Sequence, residues 1–278
     1  MTGHARITFI GGGNMARSLI GARLRDGATP DSMRVAEPDA EARARLVADF
    51  GVAVFERGAP AVADAELIVL AVKPQVLREV CIDLAGTLGP RRPLIVSIAA
   101  GIRSAAIDGW LGGGFPIVRC MPNTPALIGA GATALHANAQ VDAPARARAE
   151  GLLASAGSTA WIDDETLMDV VTALSGSGPA YFFLLIEALE DAAVAEGLAR
   201  DTARALAVQT ALGAARMASE DGESPARLRE RVTSPGGTTQ AALDAFADGG
   251  LRALVARAIG AATARGRELS ERFGSDTP

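Results

Sequence analysis

The chain has 278 residues, long enough for one large domain or two modest ones, and 49% of them are hydrophobic, which excludes a disordered chain. A formal net charge of −5 offers no basic footprint for nucleic acid or an anionic membrane. Two cysteines and two histidines exclude a disulfide scaffold and a His-rich metal site, so no metal is expected.

Scarcity narrows the chemistry further. Cys81 and Cys120 show no CxxC spacing and read as buried thiols of a reducing compartment. His4 and His136 lie near no partner motif for a Ser-His-Asp triad and read as surface or strand residues. Lys73 is the single lysine; the other 26 basic residues are arginines. The N-terminus lacks a signal-peptide pattern, and the richest apolar run, Tyr181–Ile186, is far too short for a bilayer. These features predict a soluble cytoplasmic protein without a membrane or nucleic-acid partner.

Taken in order, the chain opens with the apolar run Ile7, Phe9 and Ile10, a buried parallel strand. The spacing Gly11-x-Gly13-x-x-Ala16 follows at once and opens a helical pattern through Leu19, Ile20 and Leu24. This is the dinucleotide-binding fingerprint in its proper place. Gly11 permits the tight turn, Gly13 lets backbone approach a pyrophosphate, and Ala16 lets helix and strand pack closely. The N–H groups at the helix start face the phosphates.

Met33–Ala36 predicts a second strand, Ala40–Phe50 a polar helix and Val52–Phe55 a third strand. Leu67–Val72, Pro93–Ala99 and Pro116–Met121 are continuous apolar runs, hence strands buried on both faces. Ala132–His136 and Ser158–Ile162 add edge strands around a helix at Ala143–Ala156. The alternation argues for a doubly wound parallel sheet. Three loops share the carboxyl rim with Gly11–Ala16: Ala71-Val72-Lys73-Pro74, Ser97–Gly101 and Met121–Pro125. Ligands bind at that rim.

From about Asp163 no strand pattern remains. Thr166–Leu174 predicts a helix ending at Ser175-Gly176-Ser177-Gly178. Pro179 then starts a helix that stops at Gly197. Its stretch Ala180–Leu189 is apolar nearly all round, so we expect it to pack against a second subunit. Asp201 is expected as the N-cap of Asp201–Ser219, and Ser224-Pro225 opens a short helix. Next come Thr233–Thr239, a helix to about Ala247, a break at Gly249-Gly250 and a last helix over Leu251–Phe273. The fold class is therefore α/β: an N-terminal Rossmann-like doubly wound sheet over 1–163, then an all-helical domain over 164–278.

Ser234–Thr239 places two glycines and two threonines at a helix start. Several N–H donors and two hydroxyls in one place suit a small carboxylate.

With these pieces in hand, the chain resembles the pyrroline-5-carboxylate reductases. The matching motifs are PheIleGlyGlyGlyAsnMetAla (9–16), AlaValLysPro (71–74), ValSerIleAlaAlaGly (96–101), ArgCysMetProAsnThrProAla (119–126), SerGlySerGlyProAlaTyr (175–181) and ThrSerProGlyGlyThrThr (233–239). They occur in the family's order across almost the whole chain.

The resemblance implies an NADPH- or NADH-dependent reduction of the C=N bond of 1-pyrroline-5-carboxylate to L-proline. It implies a homodimer built by the helical domain, with dimers able to assemble into a ring. It assigns Ser234, Gly237 and Thr238 to the substrate carboxylate and the Thr239 hydroxyl to the ring nitrogen. It assigns Gly11, Gly12, Gly13, Asn14, Met15, Ala16, Ala71, Val72, Lys73, Pro74, Ala99, Ala100 and Asn123 to the cofactor. A protonated imine is already electrophilic, so a site of hydroxyls and backbone donors suits it, whereas a ketone would need a proton donor.

At the end of the second strand, Glu37 can bind the ribose 2′-OH of NADH and would repel the 2′-phosphate of NADPH. The cofactor choice stays open between the two, with Glu37 favouring NADH. A β-hydroxyacid dehydrogenase is disfavoured, because that class needs a second-domain lysine and this chain has none. An NAD(P)-binding sensor would have no need of a carboxylate cradle. A six-membered cyclic imine remains an alternative substrate, since one methylene is weakly discriminated.

Overall fold

The computed structural model describes residues 6–220 and 222–274, and His4 lies outside them. The described residues divide into two compact units. One runs to Ser177 and resumes at Ala262; the other spans Gly178–Ala261.

The first unit is built on one eight-stranded sheet of order β3-β2-β1-β4-β5-β6-β7-β8. β1 is Ile7–Ile10, followed by helix α1 (Asn14–Arg25), β2 (Met33–Ala36), α2 (Ala40–Phe50), β3 (Ala53–Phe55) and the short α3 (Gly58–Ala61). Next come β4 (Leu67–Leu70), α4 (Pro74–Leu88), β5 (Leu94–Ser97), α5 (Ser104–Leu111) and β6 (Ile117–Met121). β7 (Gly131–Ala137), α6 (Ala143–Ala154), β8 (Gly157–Trp161) and the short α7 (Met168–Val171) complete its first passage.

The central strands alternate their side chains between two cores, as a pleat with helices on both faces requires. Phe9, Val35, Leu67, Val69, Val96 and Val118 pack with Leu19 and Ile20 of α1 and Leu46 of α2. Ile10, Ile68, Leu70, Ile95 and Ile117 pack on the other side with Leu77 and Leu84 of α4 and Ile107 of α5. Strands β1 to β6 run parallel; β7 runs antiparallel to β6, and β8 runs parallel to β7.

Three strand expectations need correction here, the first being β5, which covers Leu94–Ser97 rather than Pro93–Ala99. β4 stops at Leu70 rather than Val72, because Ala71 and Val72 turn out to pack beside Gly11. Strand β7 is not an edge: it sits between β6 and β8, and the edges are β3 and β8.

The helical region differs from expectation at one joint. The helical chain continues past Ser175, and its interruption falls at Ser177, inside the expected Ser175–Gly178 stretch. A π turn over Thr172–Gly176, closed by Ser177 N–H to Thr172 O at 2.8 Å, carries the chain from α7 towards the next helix. A π turn can accommodate small residues that a sequence reading takes for a terminator. The resulting helical run, Glu165–Ala195, contains a window of mean hydropathy 1.3 and is by length and composition sufficient to cross a membrane. The shorter run Tyr181–Ile186 therefore understated it.

The second unit holds α8 (Gly178–Ala195), α9 (Arg200–Glu220), α10 (Pro225–Arg231), α11 (Thr238–Asp248) and the first part of α12 (Leu251–Gly274). Asp201 is not the N-cap of α9: the helix already begins at Arg200, and Asp201 lies in its first turn. It still complements the helix dipole there. Ser224 does cap α10, its hydroxyl accepting from Arg227 N–H at 3.3 Å. Glu190 of α8 is buried and accepts from Arg200 at 2.8 Å and from Arg204 at 3.0 Å, tying α8 to α9. Phe182, Phe183 and Leu184 are 65%, 66% and 65% exposed in the single chain.

The last turns of α12 belong to the first unit. Ser270 donates to Asp169 of α7 at 2.8 Å, and Phe273 packs against the α4–α5 core.

Candidate functional site

The glycine loop shows why each small residue stands where it does. Gly11 adopts φ +99°, and a Cβ there would lie 2.7 Å from Ala71 O and 3.1 Å from Val72 Cγ1. A side chain would therefore collide with the β4 loop and also strain the backbone. At Gly12 a Cβ would lie 2.6 Å from Leu46 Cδ1 and 3.3 Å from Glu37 Oε2. At Gly13 a Cβ would meet nothing within 4 Å, so the approach to the loop is open on that side.

Gly13 is also the N-cap of α1, and no side chain caps this helix. Its first amides, from Asn14, Met15 and Ala16, keep the unpaired N–H groups of a helix start. No acidic residue lies in its first turn. By contrast, α2 and α6 are closed by Asp39 and Asp142, which accept from Ala42 and Ala145. The α1 start is a set of open donors with a positive dipole end, the arrangement that suits a pyrophosphate. Ala16 is 1% exposed and lets α1 settle on the sheet.

Glu37 closes the far side of the loop. Its Oε2 accepts from Gly12 N–H at 2.9 Å and its Oε1 from Asp39 N–H at 3.0 Å. The carboxylate is thus held rigid beside the glycine loop. Arg43, which sequence reading passed over, donates from Nη1 to the carbonyls of Glu37 and Pro38, each at 2.7 Å.

The other rim residues follow from the strand order, since β1, β4, β5 and β6 are parallel neighbours and their carboxyl ends share one rim. Lys73 is the exposed N-cap of α4 and Pro74 occupies its first turn. Ala99 is 3% exposed and packs in the core, so it offers backbone rather than side chain to the rim; Ala100 is half-buried.

Asn123 is committed at both ends: its Oδ1 accepts from Ala132 N–H at 2.9 Å and its Nδ2 donates to Ser175 O at 3.0 Å. It links the loop after β6 to the π turn.

A second feature escaped the sequence reading. Arg119 on β6 is 3% exposed and lies 3.6 Å from Glu165 Oε1 and 3.9 Å from Asp169 Oδ1. Glu165 also accepts from Ser104 N–H at 2.7 Å and Ser104 Oγ at 3.0 Å, capping α5. Burial lowers the Arg119 pKa, against the opposing pull of Glu165 and Asp169. The available signal was an arginine inside an apolar strand, with two carboxylates four residues apart on a helical stretch.

In the second unit, Gly236 takes φ +70° and Gly237 N–H donates to Ser234 O at 3.0 Å, closing a tight turn before α11. Gly237 is the N-cap of α11 and no side chain caps this helix either. Ser234, Thr238 and Thr239 are exposed. The turn presents hydroxyls and unpaired first-turn N–H groups together, as an anionic ligand needs.

Among the described residues no three His, Cys, Asp or Glu side chains gather where they could hold a metal ion. His136 bonds through Nδ1 to Ile162 O at 3.0 Å, a structural contact on β7.

Comparison with known proteins bears on the whole chain. A family model described as pyrroline-5-carboxylate reductase dimerisation matches residues 165–269, and one described as NADP oxidoreductase, coenzyme F420-dependent, matches residues 6–101. A pyrroline-5-carboxylate reductase from Pseudomonas aeruginosa is 53% identical over 269 residues, covering 97% of this chain and 98% of the relative. The solved structure of such a reductase from Coxiella burnetii superposes with a TM-score of 0.93 at 41% identity, over 96% of this chain and 99% of that one. A pyrroline carboxylate reductase from Plasmodium falciparum with NADP bound gives 0.84 at 27% identity, over 96% of this chain and 98% of that one.

Proposed function

The chain belongs to the pyrroline-5-carboxylate reductase family, and on that premise we propose how its residues carry out the reduction. The activity is that of an NAD(P)H-dependent oxidoreductase reducing the C=N bond of 1-pyrroline-5-carboxylate to the CH–NH bond of L-proline. When bound, the reduced nicotinamide supplies the hydride.

The observation that carries the residue assignment is the Ser234–Thr239 turn, where α11 starts from Gly237 with no side-chain cap. Ser234 and the N–H group of Thr238 hold the substrate carboxylate, on a turn whose backbone Gly237 fixes by donating to Ser234 O. The Thr239 hydroxyl hydrogen-bonds the ring nitrogen and orients the ring. The substrate nitrogen enters already protonated, so the electron pair released from the C=N bond stays on nitrogen as the amine lone pair. No side chain has to deliver a proton in that step, consistent with a turn that carries no acid or base. Positioning the imine carbon at near-attack distance and excluding water supply most of the acceleration.

Toward the cofactor, the open donors at Gly13, Asn14, Met15 and Ala16 bind the pyrophosphate. Glu37 accepts from the ribose hydroxyls and tilts the choice toward NADH. Ala71, Val72, Lys73, Pro74, Ala99 and Ala100 line the rim.

The exposed Phe182, Phe183 and Leu184 form a homodimer face, supported by the dimerisation family match across this segment. We read the apolar helix over Glu165–Ala195 as that dimer face rather than a membrane span, in a cytoplasmic enzyme whose dimers can close into a ring.

Steady-state oxidation of NADH and NADPH with 1-pyrroline-5-carboxylate tests the activity. Rapid turnover supports it, and none with either cofactor contradicts it.

A further inference from the structure

The turn between β2 and α2 holds two opposite charges, each fixed by backbone. The Glu37 carboxylate is pinned by the N–H groups of Gly12 and Asp39 at 2.9 and 3.0 Å. The Arg43 guanidinium is clasped through Nη1 by the carbonyls of Glu37 and Pro38, both at 2.7 Å. Arg43 is half-buried, so its stem is packed and its position is set by the same turn. Asp39 directs its own carboxylate to Ala42 N–H at 2.7 Å, closing the start of α2.

We propose that Arg43 is the second cofactor-specificity residue of this enzyme, a cation built into the ribose turn that takes a 2′-phosphate once Glu37 is removed. The inference rests on the cofactor reading above and extends it from one residue to a pair.

The residues fit such a cofactor because Gly13 leaves the loop open where a Cβ would meet nothing within 4 Å. The ribose end of a dinucleotide then lies at the end of β2, where Glu37 stands. A carboxylate tied by two amides cannot swing aside without losing both bonds, so it repels a phosphate rather than yielding to it. Arg43 sits across the same turn with its Nη1 already anchored, leaving the rest of its planar fork to meet phosphate oxygens. The wild-type chain therefore reads ribose with Glu37, while Arg43 serves mainly as a clasp. Removing the carboxylate takes away the repulsion and leaves the arginine to meet the phosphate.

The test measures dissociation constants of NADH and NADPH, without substrate, for wild type, Glu37→Ser, Arg43→Leu and the double variant. Glu37→Ser is expected to tighten NADPH binding on the order of tenfold relative to NADH, by relief of like-charge repulsion and a new charge-assisted bond. Adding Arg43→Leu should remove the share of that gain that the charge-assisted bond supplies, leaving only the relief of repulsion. Retention of the whole gain in the double variant overturns the proposal, and so does an equal loss of both cofactors, which would make Arg43 a turn clasp only. Should Glu37→Ser fail to fold, Glu37→Gln keeps an oxygen for Gly12 N–H and carries the same expectation. Because binding is read without turnover, an enzyme inactive on the imine would sink the reductase reading while leaving this result to stand or fall by itself.

Discussion

The Asn123 side chain donates to the Ser175 carbonyl at 3.0 Å and accepts from Ala132 N–H at 2.9 Å. It therefore joins the carboxyl rim of the sheet to the π turn that precedes α8. Gly176 in that turn has no space for a side chain, since a Cβ would lie 2.4 Å from Met121 Cε. Asn123→Ala removes both of these hydrogen bonds at a half-buried position. We expect a loss of about 1–3 kcal/mol and a fall in melting temperature of roughly 2–12 °C, measured by thermal unfolding. An unchanged melting temperature would contradict the tie.

Much of the fold can be read from the chain because its strands are short apolar runs between glycines and helical stretches. Met33–Ala36 and Ala40–Phe50 form as the residues indicate. Leu67–Val72 overran its strand by two residues because apolarity does not report where the chain must turn to clear Gly11. Ser175–Gly178 read as a stop because small residues disfavour an α-helix, and the π turn depends on a distant partner, Asn123. The glycine loop and the Ser234–Thr239 turn were visible because their chemistry is local. The Arg119 cluster and the Arg43 clasp were not, because their partners lie on other elements or are backbone atoms.

Arg119 offers a sharper stability test. It is 3% exposed beside Glu165 and Asp169. Arg119→Met strands two carboxylates near the core, with an expected cost of about 3–5 kcal/mol. Adding Glu165→Gln and Asp169→Asn to that variant should recover part of it, because the uncompensated charges are gone. Urea unfolding of the single and triple variants measures the difference.

The two thiols should be silent in the native enzyme. Cys81 and Cys120 are free and buried; burial pushes the Cys81 pKa up to about 12 and raises that of Cys120 as well. Neither is expected to react with a thiol reagent near pH 8 until the chain is unfolded, when both should react.

Acid should loosen the second unit through Glu190. Hydrogen bonding from Arg204, then from Arg200, lowers its pKa below the ordinary carboxylate value. A lowered folded pKa stabilises above the unfolded value, roughly 4.3, and that contribution is lost as pH falls through the lowered one. Glu190→Gln should therefore flatten the dependence of stability on pH below roughly pH 4.3 while leaving the slope near neutrality as it is. Chemical denaturation across that pH range reports the slope.

The central claim is that the imine is reduced by positioning, with the Thr239 hydroxyl on the ring nitrogen and no acid side chain in the turn. The most direct measurement is kcat for 1-pyrroline-5-carboxylate in wild type and Thr239→Val, with cofactor dissociation constants measured alongside. The account predicts a fall in kcat of about 10²-fold, the scale for losing one preorganised hydrogen bond at the reacting centre, with cofactor binding unchanged. Wild-type kcat in Thr239→Val would contradict it.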